Sequence, residues 1–312
     1  MSTKVIKIPE RLNLLLVVSV QIAVFGLLWL GSRLDLVWSI PIGIVFSFIL
    51  LTNYALMHES VHHVLHKSPK VNYILGVLTH SLYPKSYTMF EIAHIMHHRG
   101  NRTDHELFDY YYPNDNKLIK NIRWYGILSG LYYPLVPLAN LIMAIMPWFF
   151  HTKPFKESPY SSILFTEFKG KVITKLRLEV LFAVTLWVIM WNLLSLHWQS
   201  VLILYACFGF NWATRQYVTH AWTPRDVMEG AANLRVSKLH GWMLLNGQWD
   251  HSHHKFPYLP WTELSNPKYQ TQKPTTTYFR QWLSLWKGMR PNVGKAPQVI
   301  NNVENFPGVT YY

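Results

Sequence analysis

Residues 36–63, LVWSIPIGIVFSFILLTNYALMHESVHH, set how the rest of the chain is read. The stretch 36–57 carries no Asp, Glu, Lys or Arg and is long enough, at about 1.5 Å per helical residue, to cross a hydrocarbon core of roughly 30 Å. His58, Glu59, His62 and His63 follow without a break. Residues four apart share a helical face, so His58 and His62 are spaced to converge on one metal ion, while His63 points about a quarter-turn away. An apolar span that ends in ligating side chains implies a membrane protein whose polar site begins where the bilayer stops.

Composition agrees. Half of the 312 residues are hydrophobic and 14% are charged, with 14 Trp, 18 Tyr and 16 Phe, far from the average soluble domain. Further apolar runs lie at 12–30, 180–196 and 201–218. Lys4, Lys7 and Arg11 give the first run the basic start of a signal peptide. It is longer than a signal core, however, lacks a small-residue cleavage site and is followed at once by a second span. The expected fold is all-α and integral to the membrane, with four transmembrane helices in two hairpins feeding a cytosolic helical cap.

The formal net charge of +13 is not gathered into one arm or stripe, which argues against a nucleic-acid partner. It sorts instead by side of the membrane. The turn between the first two runs holds Arg33 and Asp35, and the turn 195–200 has neither Lys nor Arg. Basic residues crowd into the N-terminus, 63–123, 153–177 and the tail after Val218, so the positive-inside rule places these in the cytoplasm. The single cysteine, Cys207, rules out disulfides, Cys-ligated zinc and iron–sulfur clusters within the chain and reads as a small buried hydrophobe.

Residues 125–150 are apolar but carry Pro134 and Pro137. A single crossing there would put His220 and His251–His254 on the opposite side from His58 and His94. Lys153, Lys156, Lys169, Lys171, Lys175 and Arg177 also favour a chain that stays cytosolic, so the segment is expected to be re-entrant or interfacial. One domain over 1–312 is the economical organisation. Tyr278, Phe279, Trp282, Leu283 and Trp286, at helical spacing with Arg280, Lys287 and Arg290 alongside, predict a helix that is either interfacial or packed into the cap.

Two more histidine clusters follow the first. In His94-Ile-Met-His97-His98 the spacings of three and four put all three rings on one face, an arrangement that suits metal better than core packing. In Asp250-His251-Ser-His253-His254 the same spacing runs from Asp250, and His251 pairs with His254; Pro257 and Pro260 stop the helix beyond them. Nine or so candidate ligands exceed what one ion needs, so two metals are implied, and imidazole with carboxylate suits iron.

In these residues the chain resembles the membrane fatty-acid desaturase superfamily, whose three histidine boxes take the forms HxxxH(H), HxxHH and (H/Q)xxHH. The run Arg215-Gln-Tyr-Val-Thr-His220 resembles that family's extra ligand after the fourth span, and the likeness extends from Leu36 to Trp261. The resemblance implies a cytosolic di-iron centre that activates O2 and oxidises an unactivated C–H bond. It implies His58, His62, His94, His97, His98, His220, His253 and His254 as ligands, with His63 beside them and Asn246 as the candidate holder of a metal-bound water. Asp250 is the departure, standing where the family has His or Gln. Either Asp250 or His251 then completes the third box.

Metal-bound imidazoles commonly donate their free N–H to carboxylates, which points to Glu106 and Asp109 after the second box. The isolated His66, His80, His105, His151, His197 and His240 receive no metal role. His58-Glu59-Ser-Val-His62 is also HExxH, the zinc-protease pattern, but that reading leaves the other clusters idle. The Glu-x-x-His pairs at Glu59 and Glu91 mimic soluble di-iron bundles, yet no Glu occurs between Leu12 and Met57 to complete one. A metal sensor or carrier is the non-enzymatic alternative.

Desaturation of a fatty acyl chain is the expected reaction. Hydroxylation, carotenoid ketolation or hydroxylation, and decarboxylation to a terminal alkene share the same boxes. The chain has no iron–sulfur cysteine set and no nucleotide-binding glycine fingerprint. An external donor of the ferredoxin or cytochrome b5 type is expected, docking on the basic cytosolic face.

Overall fold

The computed structural model describes residues 6–156, 168–292 and 294–300. Lys4 of the basic N-terminal start and residues 157–167 of the basic stretch 153–177 lie outside them. The chain is mostly helical: α1 (Glu10–Arg33), α2 (Ser39–Val61), α3 (Pro69–Leu82), α4 (Tyr87–Gly100), α5 (Lys117–Leu128), α6 (Leu135–Ile145), α7 (Lys153–Lys156), α8 (Lys171–Leu193), α9 (Trp198–Val218), α10 (Lys238–Met243), α11 (Asp250–Lys255) and α12 (Tyr278–Leu285). A two-residue parallel pairing, Tyr110–Tyr111 with Arg290–Pro291, ties the far end of the chain to the segment after α4.

Among the described residues two helices are long and apolar enough to cross a bilayer, Glu10–Arg33 and Leu36–Val61. The other two expected runs lie on α8 and α9, of 23 and 21 residues. α8 opens on Lys171, Lys175, Arg177 and Glu179, which lower its apolar content. All four helices nonetheless expose large apolar side chains outward, such as Ile22 and Leu15, Ile40 and Val45, Leu181 and Val188, and Trp198 and Leu202.

The central helix is α2, which packs on α1, α3, α4, α9 and α10. Its close approach to α9 depends on Gly43, where an added Cβ would lie 2.8 Å from Cys207 Sγ. Cys207 is thus half-buried in a helix–helix contact. At the end remote from the histidines the two inter-helix turns meet: His197 N–H donates to Ser32 Oγ at 3.0 Å and Arg33 Nη2 to the Leu194 carbonyl at 3.4 Å. The expected second hairpin is splayed. α8 packs on α3, α4 and α6 and reaches α9 chiefly through Trp187 against Tyr205, with ring centroids 5.7 Å apart.

α3 was not anticipated as a separate element. It turns back into the bundle, where Gln21 and Asn53 donate side-chain amides to the carbonyls of Leu78 and Thr79, and Tyr205 donates its hydroxyl to that of Leu82. α4 then brings the chain out again with the second histidine cluster. The segment 125–150 is broken instead of spanning: α5 ends at Leu128, and Gly130, at φ 80°, lies against the backbone of Gly209. α6 follows with 11 residues, about 16 Å of helix and too short to cross. α12 buries Tyr278 and Leu285, sets Trp282 and Trp286 against Phe210, and leaves Phe279 and Leu283 exposed.

Candidate metal centre

Four separate elements converge at one end of the bundle. α2 delivers His58 with His62 just past its end, α4 delivers His94, His97 and His98, the turn after α9 delivers His220, and α11 delivers His253 and His254. The rings form two groups. His58, His62, His94, His98 and His253 make one, and His97, His220 and His254 the other; within each, one ligating atom per residue lies within 4.8 Å of all the rest. The adjacent residues His97 and His98 fall in different groups, as do His253 and His254.

Local structure aims these side chains. The Ser86 hydroxyl caps α4 by accepting the Met89 N–H, which satisfies one orphan donor of the first turn. The turn carrying His220 is held from outside: Asp109 takes a two-pronged contact from Arg102 at 2.8 and 3.0 Å and accepts the Trp222 N–H at 2.6 Å. His97 Nδ1 lies 3.0 Å from Glu106 Oε2, and His220 Nδ1 donates to the Gly230 carbonyl at 3.0 Å. Protons held on Nδ1 leave both Nε2 lone pairs aimed inward, the tautomer a metal requires.

Electrostatics match. Burial, reinforced by neighbouring imidazoles, holds His62, His94, His98, His253 and His254 well below the ordinary imidazole range, so all five are neutral near pH 7. Burial also pushes His97 down, but the Glu106 carboxylate outweighs it and raises the ring. Burial would raise Asp250, yet His220, His254 and Arg215 outweigh it and keep the carboxylate ionised.

The nitrogen contacts themselves call for a cation. Nε2 of His94 lies 2.8 Å from Nε2 of His62 and 3.0 Å from Nε2 of His98, which in turn lies 3.0 Å from Nε2 of His253. A neutral imidazole has one N–H and one lone pair, so at most two of these three contacts can be hydrogen bonds. A cation at the common focus would satisfy all four lone pairs at once.

Not every expected residue joins the groups. His63, at φ 58°, is turned outward, its side chain 47% exposed and 3.6 Å from Glu91. His251 has both ring nitrogens engaged, with Glu229 at 2.8 Å and Thr271 at 3.2 Å. Asn246 donates to the Trp261 carbonyl and accepts from Gln248. Asp250 Oδ2 accepts from the Thr219 hydroxyl at 2.5 Å and lies 3.1 Å from His220 Nε2, at the edge of the second group. Glu106 meets an imidazole as expected; Asp109 meets none and acts through the backbone around His220. Glu59 accepts the Trp261 N–H at 2.9 Å, so the Glu of the HExxH pattern braces the loop after the third box.

Three contributors were not foreseen: Thr219 on Asp250, the Gly230 carbonyl on His220, and Glu229, which contacts His251 and Lys255. Only Thr219 had a signal, its place beside His220. Beside the first group, Leu51, Tyr54, Ala55, Leu244 and Leu245 line a narrow cavity of about 40 Å3 whose wall includes His58 and His253.

No curated protein matches the chain. The family model described as fatty acid desaturase matches residues 35–268, a span that contains all eight clustered histidines and Asp250. The chain belongs to the fatty acid desaturase family.

Proposed function

We propose that this chain is an integral-membrane, O2-dependent di-iron oxidoreductase that oxidises an unactivated C–H bond of a lipid, desaturating a fatty acyl chain. The observation that carries the proposal is the pair of adjacent, buried imidazole groups at one end of apolar helices. His58, His62, His94, His98 and His253 would hold one iron; His97, His220 and His254, with Asp250 beside His220, would hold the other. Imidazole and carboxylate donors suit iron. Bound there, the two irons would supply the O2-activating redox chemistry that no side chain provides. Glu106 and the Gly230 carbonyl keep His97 and His220 in the ligating tautomer. His63, His251 and Asn246, occupied elsewhere, are left out of the ligand set.

Outward apolar faces on α1, α2, α8 and α9 support four spans, and the basic loops support a site facing the cytoplasm. The space beside His58 and His253, about 40 Å3, is walled by Leu51, Ala55, Leu244, Leu245 and Tyr54 together with Glu59, Arg215 and Asp250; it is too small for an acyl chain, and its tight packing keeps bulk water from the site. Electrons come from a separate carrier of the ferredoxin or cytochrome b5 type.

Expression in a host with a simple fatty-acid pool, followed by mass spectrometry of lipids, hydrocarbons and carotenoids, tests the assignment. New acyl double bonds are expected, and they should vanish in His94→Ala. Hydroxylated lipid, oxidised carotenoid or terminal alkene would each select a different reaction at the same site. Tight binding of one zinc with no O2 consumption would refute the oxidoreductase.

A further inference from the structure

A second cavity, of about 450 Å3, lies away from the histidines, between α6, α8 and the turn joining α3 to α4. Pro137, Leu141, Val184, Trp187 and Trp191 give it apolar walls, and the α8 residues on it run from Val180 to Asn192, about 18 Å along the helix. The splay of α8 from α9 accompanies it. Its size falls within the roughly 300–1,000 Å3 of small-molecule sites.

One charge sits on this cavity, Lys85. The neighbouring polar groups are partly engaged: the Ser86 hydroxyl accepts the Met89 N–H but keeps its own proton to donate, and Asn140 Oδ1 accepts the Ser86 N–H. Among the described residues no carboxylate lies within ion-pair distance of Lys85, whose ammonium rests over the Phe90 ring at 4.5 Å. The turn is also deep. Leu82 takes the hydroxyl of Tyr205, and Ser81 takes the indole N–H of Trp187, both well inside the apolar length of their helices. A cation at such depth is costly and marks a ligand or partner.

We propose that this cavity binds a long-chain fatty acid, with its carboxylate on the Lys85 ammonium and its chain along α8. The single cation, with the Ser86 hydroxyl proton free to donate beside it, matches a monoanion better than a phosphate monoester, which carries nearly two charges. The apolar walls along α8 suit a hydrocarbon chain. Phe90, which lies under Lys85, stacks on His94 with centroids 5.5 Å apart, so the occupied site would adjoin the histidines without entering them.

Trp187 and Trp191 make occupancy visible. The full chain in uncharged detergent is titrated with a bromine-labelled long-chain fatty acid, its methyl ester and an alkyl phosphate of equal length, reading tryptophan quenching. Saturable quenching by the acid is expected, with about tenfold or greater weakening in Lys85→Met, recovery in Lys85→Arg, and loss in Ala183→Trp, which fills the cavity. Bound iron, measured on the same samples, reports folding and does not depend on the fatty acid. Equal binding of acid and ester, or unchanged binding in Lys85→Met, would overturn the site. Preference for the phosphate would overturn the choice of a carboxylate.

Discussion

Replacing Asp250 with Ala probes the place where this chain departs from its family's pattern. The carboxylate is buried, accepts the Thr219 hydroxyl at 2.5 Å and lies 3.1 Å from His220 Nε2. Hydrogen bonds to charged groups contribute about 1.5–3 kcal/mol each. With the His220 proton on Nδ1, its Nε2 and Asp250 Oδ2 are two acceptors 3.1 Å apart that a cation would share, and loss of one such charged contact removes on the order of 3 kcal/mol from the group made by His97, His220 and His254. At 1.4 kcal/mol per decade, that is about 100-fold weaker binding of the ion held there. The five-imidazole group keeps all its donors. Anaerobic titration with ferrous iron, with metal per chain read by mass spectrometry, should show two tight equivalents in the parent and one in Asp250→Ala, with Asp250→His restoring the second. Thr219→Val, which removes only the support, should weaken the second ion by about tenfold. Two equivalents bound by Asp250→Ala at unchanged affinity would refute the role of the carboxylate.

Other substitutions separate ligation from bracing. Glu106→Gln should weaken iron binding by roughly 10–100-fold, measured in the same titration, because His97 loses its carboxylate. Glu59→Gln should retain both irons and activity, whereas Glu59→Ala should lower unfolding stability by about 1–3 kcal/mol through the abandoned Trp261 N–H; loss of metal with stability intact would restore Glu59 to the site. Acid should destabilise the metal-free chain. Burial depresses His94, His98, His253 and His254 in the folded state, so below about pH 6.5 the unfolded chain binds more protons and stability falls as pH falls. The slope is at most about 1.4 kcal/mol per pH unit for each such imidazole. Thermal melts of the iron-free protein between pH 8 and 5.5 should show this decline, and saturating zinc should suppress it. A melting temperature flat across that range would contradict the neutral cluster.

Most of the metal centre was legible because its signal is local. His94, His97 and His98 share a face by helical spacing alone, and α4 sets them on it. Parity of the apolar runs put His220 and the third cluster on the same side as the first. What escaped the sequence depends on contacts between distant residues. Glu229 precedes His251 by 22 positions, and nothing in the spacing foretells that it occupies that ring. His63 looked like a ligand because it adjoins His62, but the helix ends there and a left-handed residue turns the ring outward. Asp109 is expected from the sequence to meet a metal-bound imidazole, yet its partner is Arg102, seven residues back. The splay of α8 arises from packing on α3, α4 and α6, contacts between residues far apart in the chain.

The division of His97 from His98 and of His253 from His254 works as a caliper. Neighbouring residues on a helix are separated by about 1.5 Å of rise and a 100° rotation, so the offset between the two groups is inherited from covalent geometry on two helices at once. Loop drift or splaying of α8 can move the walls of the site while leaving that offset unchanged. A family built on such a gauge is free to diversify what it oxidises without recalibrating the instrument that does the oxidising.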